Sequence, residues 1–169
     1  IEPNHSIINV PDSRLVDLED IVKPEKVIPA TVEIVDIAGL VKGASRGEGL
    51  GNKFLANIRE TDAIIHVLRC FDNDNVTHVD GSVNPVRDKE IIDIELQLKD
   101  LETLNKRLEK ISRTAKSGNK DAEKEKLALE LAIETINTSK NIRSTNLDKN
   151  SFEKYLKPLQ LITAKPVLY

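Results

Sequence analysis

The sequence has a single cysteine and no tryptophan, and aromatic residues make up only 3% of its 169 residues. The lone Cys70 excludes an internal disulfide framework and a cysteine-rich zinc site. The scarcity of aromatics argues against a nucleic-acid surface built on stacked bases, and the net charge of −3 argues against a uniformly basic binder. The remaining 39% hydrophobic content is enough for one globular core.

Long apolar runs are also missing. No segment reaches the roughly 20 apolar residues of a membrane-spanning helix, and no secretory signal opens the chain. The histidines lack His-x-x-x-His spacing and there is no Gly-x-Ser-x-Gly motif, which argues against zinc-protease and serine-hydrolase chemistry. We therefore expect a cytoplasmic protein without a membrane partner.

A motif typical of metal and phosphate binding follows a β-branched apolar run. Val32 to Val35 predicts a strand in a covered parallel sheet, so Asp36 falls at the carboxyl end of that strand, where α/β folds bind ligands. A carboxylate there can hold Mg²⁺ through water, and the Gly39 amide can approach a terminal phosphate. Four glycines between positions 43 and 51 then form a loop, and a helix is predicted over 52–59.

Several motifs together resemble the switch II region and flanking strands of the Obg-like ATPase family of P-loop NTPases. They are Glu2-Pro3-Asn4, Asp36-Ile37-Ala38-Gly39-Leu40, the run Gly-Glu-Gly-Leu-Gly-Asn-Lys-Phe-Leu-Ala-Asn-Ile-Arg-Glu-Thr-Asp-Ala from position 47, and Arg69-Cys70-Phe71. The resemblance extends along essentially the whole chain. It implies an α/β fold, a partial G-domain-like P-loop NTPase sheet into which an antiparallel coiled-coil helical hairpin is inserted. The expected domains are 1–87 (α/β core), 88–145 (hairpin) and 146–169 (return to the core).

The Gly-x-x-x-x-Gly-Lys-Ser/Thr phosphate loop of such enzymes does not occur in the sequence. The resemblance places it upstream of Ile1, and places an Asn-x-x-Glu base-reading motif and a TGS domain after Tyr169. We therefore expect a fragment that is inactive alone, from a parent that hydrolyses ATP, or less favourably GTP, with Mg²⁺. The alternative is a non-catalytic coiled-coil interaction module on an α/β platform.

The resemblance assigns roles to four residues. Asp36 would hold Mg²⁺ through water, and Gly39 would contact the γ-phosphate. Leu40 occupies the position where Ras-like enzymes carry a glutamine that orients the attacking water, and leucine cannot form that hydrogen bond. His78, in a polar loop, would take over this role. The alternative for His78 is an exposed loop histidine without a function.

Two long helices are predicted after a polar loop over 72–89. From Glu90 to Lys116, apolar residues recur every three or four positions and predict one buried stripe: Ile91, Ile94, Leu98, Leu101, Leu104, Leu108 and Ile111. A second helix is predicted from about Asp121 to Asn141, with Leu127, Leu131, Leu129, Ile133 and Ile136 on its apolar face. Periodicity alone equally allows two ordinary helices packed on the sheet; the resemblance favours the hairpin.

The predicted hairpin tip is basic. Residues 106–126 contain eight Lys or Arg against four Asp or Glu, a net charge of +4 in a chain whose net charge is −3. This asymmetry indicates an anionic partner, and the resemblance implies the ribosome or ribosomal RNA. The alternative is that these lysines only keep an exposed hairpin soluble. The sequence indicates no oligomeric state.

Two further residues are predicted to be structural. His66 lies within an apolar strand predicted over 63–69 and is expected to be a buried, hydrogen-bonded core residue. Cys70 follows that strand and is expected to behave as a small buried hydrophobe.

Overall fold

A computed structural model gives the structure of residues 4–37, 50–73, 75–78 and 81–169. The strands and longer helices are β1 (Asn4–Asn9), α1 (Arg14–Val22), β2 (Thr31–Asp36), α2 (Leu50–Glu60), β3 (Ile64–Ile65), α3 (Pro85–Ala115) and α4 (Lys120–Asn137). Short helical turns follow at Ile142–Ser144, Lys149–Ser151, Phe152–Leu156, Lys157–Leu159 and Ile162–Ala164, and β4 (Val167–Leu168) ends the series. The chain divides into two compact units, residues 1–39 and 40–169.

The first unit is built on one antiparallel strand pair. β1 pairs with β2 so that Asn4 lies opposite Asp36 and Asn9 lies opposite Thr31. None of the residues described in this unit is buried. Among the described residues, the strand over Val32 to Val35 is therefore antiparallel and exposed, not parallel and covered as predicted, since a β-branched run also suits a strand whose partner is antiparallel.

Helix α1 connects the two strands of this unit. The Asp12 carboxylate accepts the backbone N–H of Arg14 at 3.1 Å and its guanidinium Nη2 at 2.6 Å, which supports the first turn. The helix ends at Val22, and the residue that caps it, Lys23, has a φ of 46°, in the left-handed region. A residue in this conformation commonly follows the last turn of a helix.

The second unit contains the parallel pairing. β3 and β4 lie side by side with Ile64 opposite Val167 and Ile65 opposite Leu168. The backbone N–H of His66 extends the ladder by donating to the carbonyl of Leu168 at 2.8 Å. The strand observed where one was predicted over 63–69 is therefore much shorter, and β4 is its parallel partner.

Helix α3 begins five residues before the predicted start. Asn84 caps it by accepting the N–H of Arg87 at 3.0 Å, and Pro85 occupies the first helical position. Asn followed by Pro is a helix-start signal, because proline needs no hydrogen-bond partner there. The predicted loop over 72–89 is thus wrong from residue 85 onward.

Helices α3 and α4 pack against each other as an antiparallel pair joined by a four-residue turn. Gly118 sits in that turn with a φ of +81°, which favours glycine. Near the turn Arg107 Nε contacts Glu125, and far from it Gln97 Nε2 donates to Asn141 at 2.9 Å. This geometry fits the predicted hairpin, while a supercoiled coiled coil stays a prediction.

A hydrophobic core joins both helices to the turns that follow them. Its buried members are Leu104, Leu129, Ala132, Ile136, Ile142, Leu156 and Leu161. The predicted stripes are partly wrong, because Ile94, Leu98 and Leu127 are exposed. No helix among the described residues is both long and apolar enough to cross a membrane.

Candidate functional site

Asp36 is the last residue of β2, as the sequence predicts. Its side chain is exposed, and no described residue forms a hydrogen bond or ion pair with its carboxylate. The described residues also contain no cluster of three or more metal-ligating side chains. A single open carboxylate fits Mg²⁺, which keeps several waters and binds one or two carboxylates together with substrate phosphates.

Gly39 and Leu40 lie outside the described residues, as do the glycines at positions 43, 47 and 49. Their proposed contacts with the γ-phosphate and the attacking water therefore stay predictions. Asp36 belongs to the first compact unit and His78 to the second.

His78 is held at the start of helix α3. Its Nε2 lies 3.0 Å from Oδ2 of Asp88, in the first turn of that helix, and both side chains are about one-fifth exposed. Burial raises the pKa of Asp88, but the hydrogen bond and charge of Arg87, together with His78, outweigh it and lower that pKa. Asp88 is thus a carboxylate at neutral pH, and sequence reasoning did not identify it.

A second layer of contacts fixes Asp88. Arg87 donates to Asp88 Oδ1 through Nε at 3.0 Å and through Nη2 at 2.8 Å. The same guanidinium donates to the backbone carbonyl of Ser82 at 2.7 Å and to its hydroxyl at 3.1 Å. The residues that precede α3 are therefore tied to its first turn by one arginine.

The other end of the loop is organised by Arg69. Its guanidinium donates to three backbone carbonyls, those of Phe71 at 3.0 Å, Asn73 at 3.1 Å and Val76 at 2.8 Å. The guanidinium also lies over the Phe71 ring, 5.1 Å from its centre. Arg69 thereby fixes the backbone that leads to His78.

A buried polar junction connects α2, α3 and the turn before β4. Asp100 of α3 is fully buried and accepts the N–H groups of Ile162 at 2.9 Å and Thr163 at 2.7 Å, and the Thr163 hydroxyl at 2.8 Å. Arg59 of α2 lies 3.7 Å from the same carboxylate. Burial raises the pKa of Asp100, and the hydrogen bonds only partly offset this. The residues are up to 63 positions apart, so no local pattern could have revealed them.

The basic tip is solvent-exposed but partly neutralised. Seven of its eight cations are exposed: Lys106, Arg107, Lys110, Arg113, Lys116, Lys120 and Lys124. Lys106, Arg107 and Arg113 pair with glutamates, and Glu125, the partner of Arg107, is buried. Among the described residues, Lys110, Lys116 and Lys120 have no ion-pair partner.

One further cation joins this tip from a distant part of the sequence. Lys154 pairs with Asp121 at the start of α4, and the Tyr155 hydroxyl donates to the same carboxylate at 2.8 Å. Lys154 lies more than 25 residues beyond the basic segment, so counting charges along the sequence missed it.

The remaining histidines and the cysteine are not assembled into a site. His66 is only partly buried, with its ring 5.7 Å from that of Tyr169, and burial lowers its pKa. His5 Nδ1 lies 2.7 Å from Glu33 on the neighbouring strand. Cys70 is exposed. The predictions of a buried core role for His66 and for Cys70 are therefore wrong, because the strand that was expected to bury them ends at Ile65.

A cavity of about 340 Å³ lies in the second unit, between the end of α2 and the turns over 152–161. Its lining includes Arg59, Asp62, Glu153, Lys157 and Lys165, and neither Asp36 nor His78 contributes to it. The Lys165 amine that borders it donates to the carbonyls of Arg59 and Thr61, so this group already has structural partners.

Comparison with known proteins gives the family. A family model described as a 50S ribosome-binding GTPase matches residues 19–110, more than half of the chain. A protein of Pasteurella multocida named "Ribosome-binding ATPase YchF" is 50% identical over all 169 residues. The chain belongs to the Obg-like YchF family of P-loop NTPases. The resemblance predicted from the switch motif is confirmed.

Other YchF relatives agree. The Bacillus subtilis protein of the same name is 48% identical over the whole chain. The solved structure of the Schizosaccharomyces pombe YchF GTPase superposes over the whole chain with a TM-score of 0.78 at 39% identity. These matches support the P-loop GTPase-like α/β fold. The chain spans 46% of the length of each of these relatives.

Proposed function

We propose that the full-length protein is a magnesium-dependent NTPase that binds the ribosome and acts in the cytoplasm. The observation that carries the proposal is near 50% identity to proteins named ribosome-binding ATPases along the entire chain, with Asp36 at the carboxyl end of a strand as the switch motif requires. This favours the NTPase over a non-catalytic interaction module, which would not need a metal-binding carboxylate there.

The proposed roles of the site residues follow from their chemistry. Asp36 would hold Mg²⁺ through a water molecule, and bound Mg²⁺ would neutralise charge on the phosphates. The Gly39 amide would donate to the γ-phosphate, where a side chain would be in the way. Leu40 offers no hydrogen bond to the attacking water, so the polar ring of His78 would orient that water instead.

The nucleotide proposed is ATP, with GTP as the weaker substrate. The bacterial relatives are named ATPases, whereas the S. pombe structure is titled a GTPase. Residues 1–169 contain no Gly-x-x-x-x-Gly-Lys-Ser/Thr motif, which supplies most phosphate contacts in such enzymes. We therefore expect this chain alone to neither bind nor hydrolyse Mg·ATP.

Replacement of His78 in the full-length protein tests the catalytic proposal. We expect His78→Ala to lower kcat roughly tenfold or more, while ATP affinity stays within about a factor of three, because the ring acts on the water rather than on the nucleotide. Leu40→Ala is the matched control, since it removes no hydrogen bond, and kcat should change far less. Single-turnover hydrolysis and nucleotide binding are measured side by side. Equal kcat in wild type and His78→Ala would remove His78 from the mechanism.

We propose that the basic tip is the ribosome contact. Its lysines are exposed, and Lys110, Lys116 and Lys120 are the best placed for RNA phosphates because no described carboxylate neutralises them. Phosphate contacts of this kind give an affinity that depends on salt concentration and discriminates little between RNA sequences. Arg107 is less suitable, since it is engaged by the buried Glu125.

Charge removal at the tip tests this contact. In the full-length protein, changing Lys110, Lys116 and Lys120 together to Gln should weaken ribosome co-sedimentation. The slope of its salt dependence should fall by the amount expected for the loss of up to three phosphate contacts. ATP hydrolysis without ribosomes should stay nearly unchanged. The control changes Lys23, Lys26 and Lys140, which lie outside the tip, to Gln. Unaltered co-sedimentation of the tip variant, or equal loss in the control, would place the contact elsewhere.

A further inference from the structure

The geometry points to Asp88 as the positioning residue for His78: helix α3 presents a fixed carboxylate that holds the ring in one orientation for its work on the attacking water. This inference rests on the proposed function of His78. It adds a residue to the site that the switch motif does not contain, and it places the support of the catalytic loop on the first helix of the hairpin.

The direction of the hydrogen bond follows from the charge of Asp88. The carboxylate is ionised at neutral pH and carries no proton to donate, so the hydrogen between Oδ2 and Nε2 must belong to the ring. In the neutral ring, Nδ1 is then the nitrogen with the lone pair. A carboxylate on one ring nitrogen thus determines which nitrogen can accept a hydrogen, as in catalytic and metal-binding histidines.

Asp88 is held independently of His78. Two donors of Arg87 reach its other oxygen, and Arg87 is itself bound to the carbonyl of Ser82. The backbone N–H of Asp88 donates to the carbonyl of Asn84 at 2.9 Å, so its own backbone is within the first helical turn. The positive end of the helix favours a negative charge there. The carboxylate therefore has contacts of its own that do not involve His78.

An orienting group for the attacking water needs a hydrogen-bond acceptor in a defined position. The glutamine of Ras-like enzymes supplies a side-chain carbonyl for this purpose, and Leu40 supplies none. In a neutral ring with Nε2–H bound to Asp88, Nδ1 is the nitrogen with an acceptor lone pair, and the Asp88 contact helps to define its position. Without Asp88 the ring would lose one of the contacts that set its rotamer and tautomer, and the fraction of molecules in the productive arrangement would fall.

The kinetic test uses the full-length protein with Mg·ATP. Asp88→Ala should lower kcat by roughly three- to tenfold, with nucleotide affinity unchanged within about twofold, because Asp88 acts through His78 and not on the nucleotide. Asp88→Asn keeps an oxygen that can accept from Nε2–H and should recover part of the loss. In a His78→Ala background, Asp88→Ala should have no further effect, since the residue it positions is gone.

A matched control separates positioning from helix stability. Asn84→Ala removes the N-cap of the same helix end without removing a contact to the ring. It should leave kcat within about twofold. An effect of Asn84→Ala equal to that of Asp88→Ala would mean that only the helix end matters, and would overturn the inference.

NMR of ¹⁵N-histidine-labelled protein supplies a readout that does not depend on hydrolysis. A ring N–H proton protected from solvent exchange should be present in wild type and in Asn84→Ala, and absent in Asp88→Ala and His78→Ala. Its persistence in Asp88→Ala would overturn the inference. Normal kcat in Asp88→Ala alongside a slow His78→Ala would overturn the inference while leaving the proposed function intact. Normal kcat in His78→Ala would overturn both.

Discussion

The two compact units differ in how well they bury their apolar side chains. In the second unit Leu104, Leu129 and Ile142 are completely buried among the helices and turns. In the first unit Ile7, Ile21 and Ile28 are each more than 70% exposed, and the strand pair β1–β2 has neither face covered. An isolated two-stranded pair is marginal in water. The unit that carries Asp36 is therefore the one with the weaker support of its own.

The same comparison separates the two candidate site residues. Asp36 ends a strand whose side chains are mostly exposed, whereas His78 is fixed to a helix that contributes to a buried core. His78 therefore belongs to a unit with a buried core, and Asp36 belongs to a unit in which no described residue is buried. We expect local opening to cost less free energy around Asp36 than around His78.

Matched truncations in the two units should give the largest contrast. Leu104→Ala removes a fully buried side chain from the core and should cost about 3 kcal/mol of local stability. Ile21→Ala, on the exposed α1, should change stability by less than about 0.5 kcal/mol. Native-state hydrogen exchange of α3 and α1 amides in the full-length protein measures both. A loss above about 1 kcal/mol for Ile21→Ala would show that the full-length protein covers this face.

Removal of the buried carboxylate should have the next largest effect. Asp100→Ala leaves the N–H groups of Ile162 and Thr163 without an acceptor, and we expect a loss of about 2–3 kcal/mol. The measurement is the exchange rate of those two amides. Glu109→Ala is the control, since its ion pair with Arg113 is exposed and long at 3.5 Å, and it should cost less than about 0.5 kcal/mol. Unchanged exchange at Ile162 and Thr163 would contradict this account of the junction.

A smaller effect is expected from the pH dependence of stability, in which two carboxylates of α3, Glu102 and Asp100, should contribute with opposite sign. The hydrogen bonds and charges of Lys106 and Lys99 lower the pKa of Glu102 to about 2, so its contribution is present above its ordinary pKa and is lost as the pH falls toward 2. The pKa of Asp100 is raised, so its contribution is present at low pH and is lost as the pH rises through that pKa.

We therefore expect Glu102→Gln to cost less than about 1 kcal/mol at pH 7, because the carboxylate is 42% exposed, and only a small part of that at pH 2, where about half of the carboxylates are protonated. Amide exchange in α3, measured against pH and corrected for intrinsic rates, tests the sign. A cost for Glu102→Gln that grows as the pH falls below 4.5 would contradict the assignment.

Signals carried by neighbouring residues in the sequence account for helix ends, turns and the end of a strand. The start of α3 could have been found from Asn84-Pro85, and the turn at Gly118 lies between the two helices that apolar periodicity predicted. The position of Asp36 at a strand end was predicted correctly. The pairing of that strand was not, because a β-branched run reports propensity and says little about its neighbour.

The contacts that define the second unit join distant residues and could not be predicted. Asp100 meets Thr163, and Lys154 joins the tip through Asp121, across separations that no periodicity encodes. His78 was selected as a site residue by resemblance alone. The carboxylate that holds it is ten residues away, in a segment that the sequence indicated to be a loop.

Arg69 limits how far the backbone of the proposed catalytic histidine can lie from a fixed point of the chain. Its guanidinium anchors the chain at the carbonyl of Val76, two residues before His78, and Arg87 anchors it again at Ser82, four residues after. Two extended residues span at most about 7 Å, so the His78 backbone can range only that far from its first anchor. Chain length therefore confines the His78 backbone to within that distance of Val76, and the contact with Asp88 then sets where the imidazole lies.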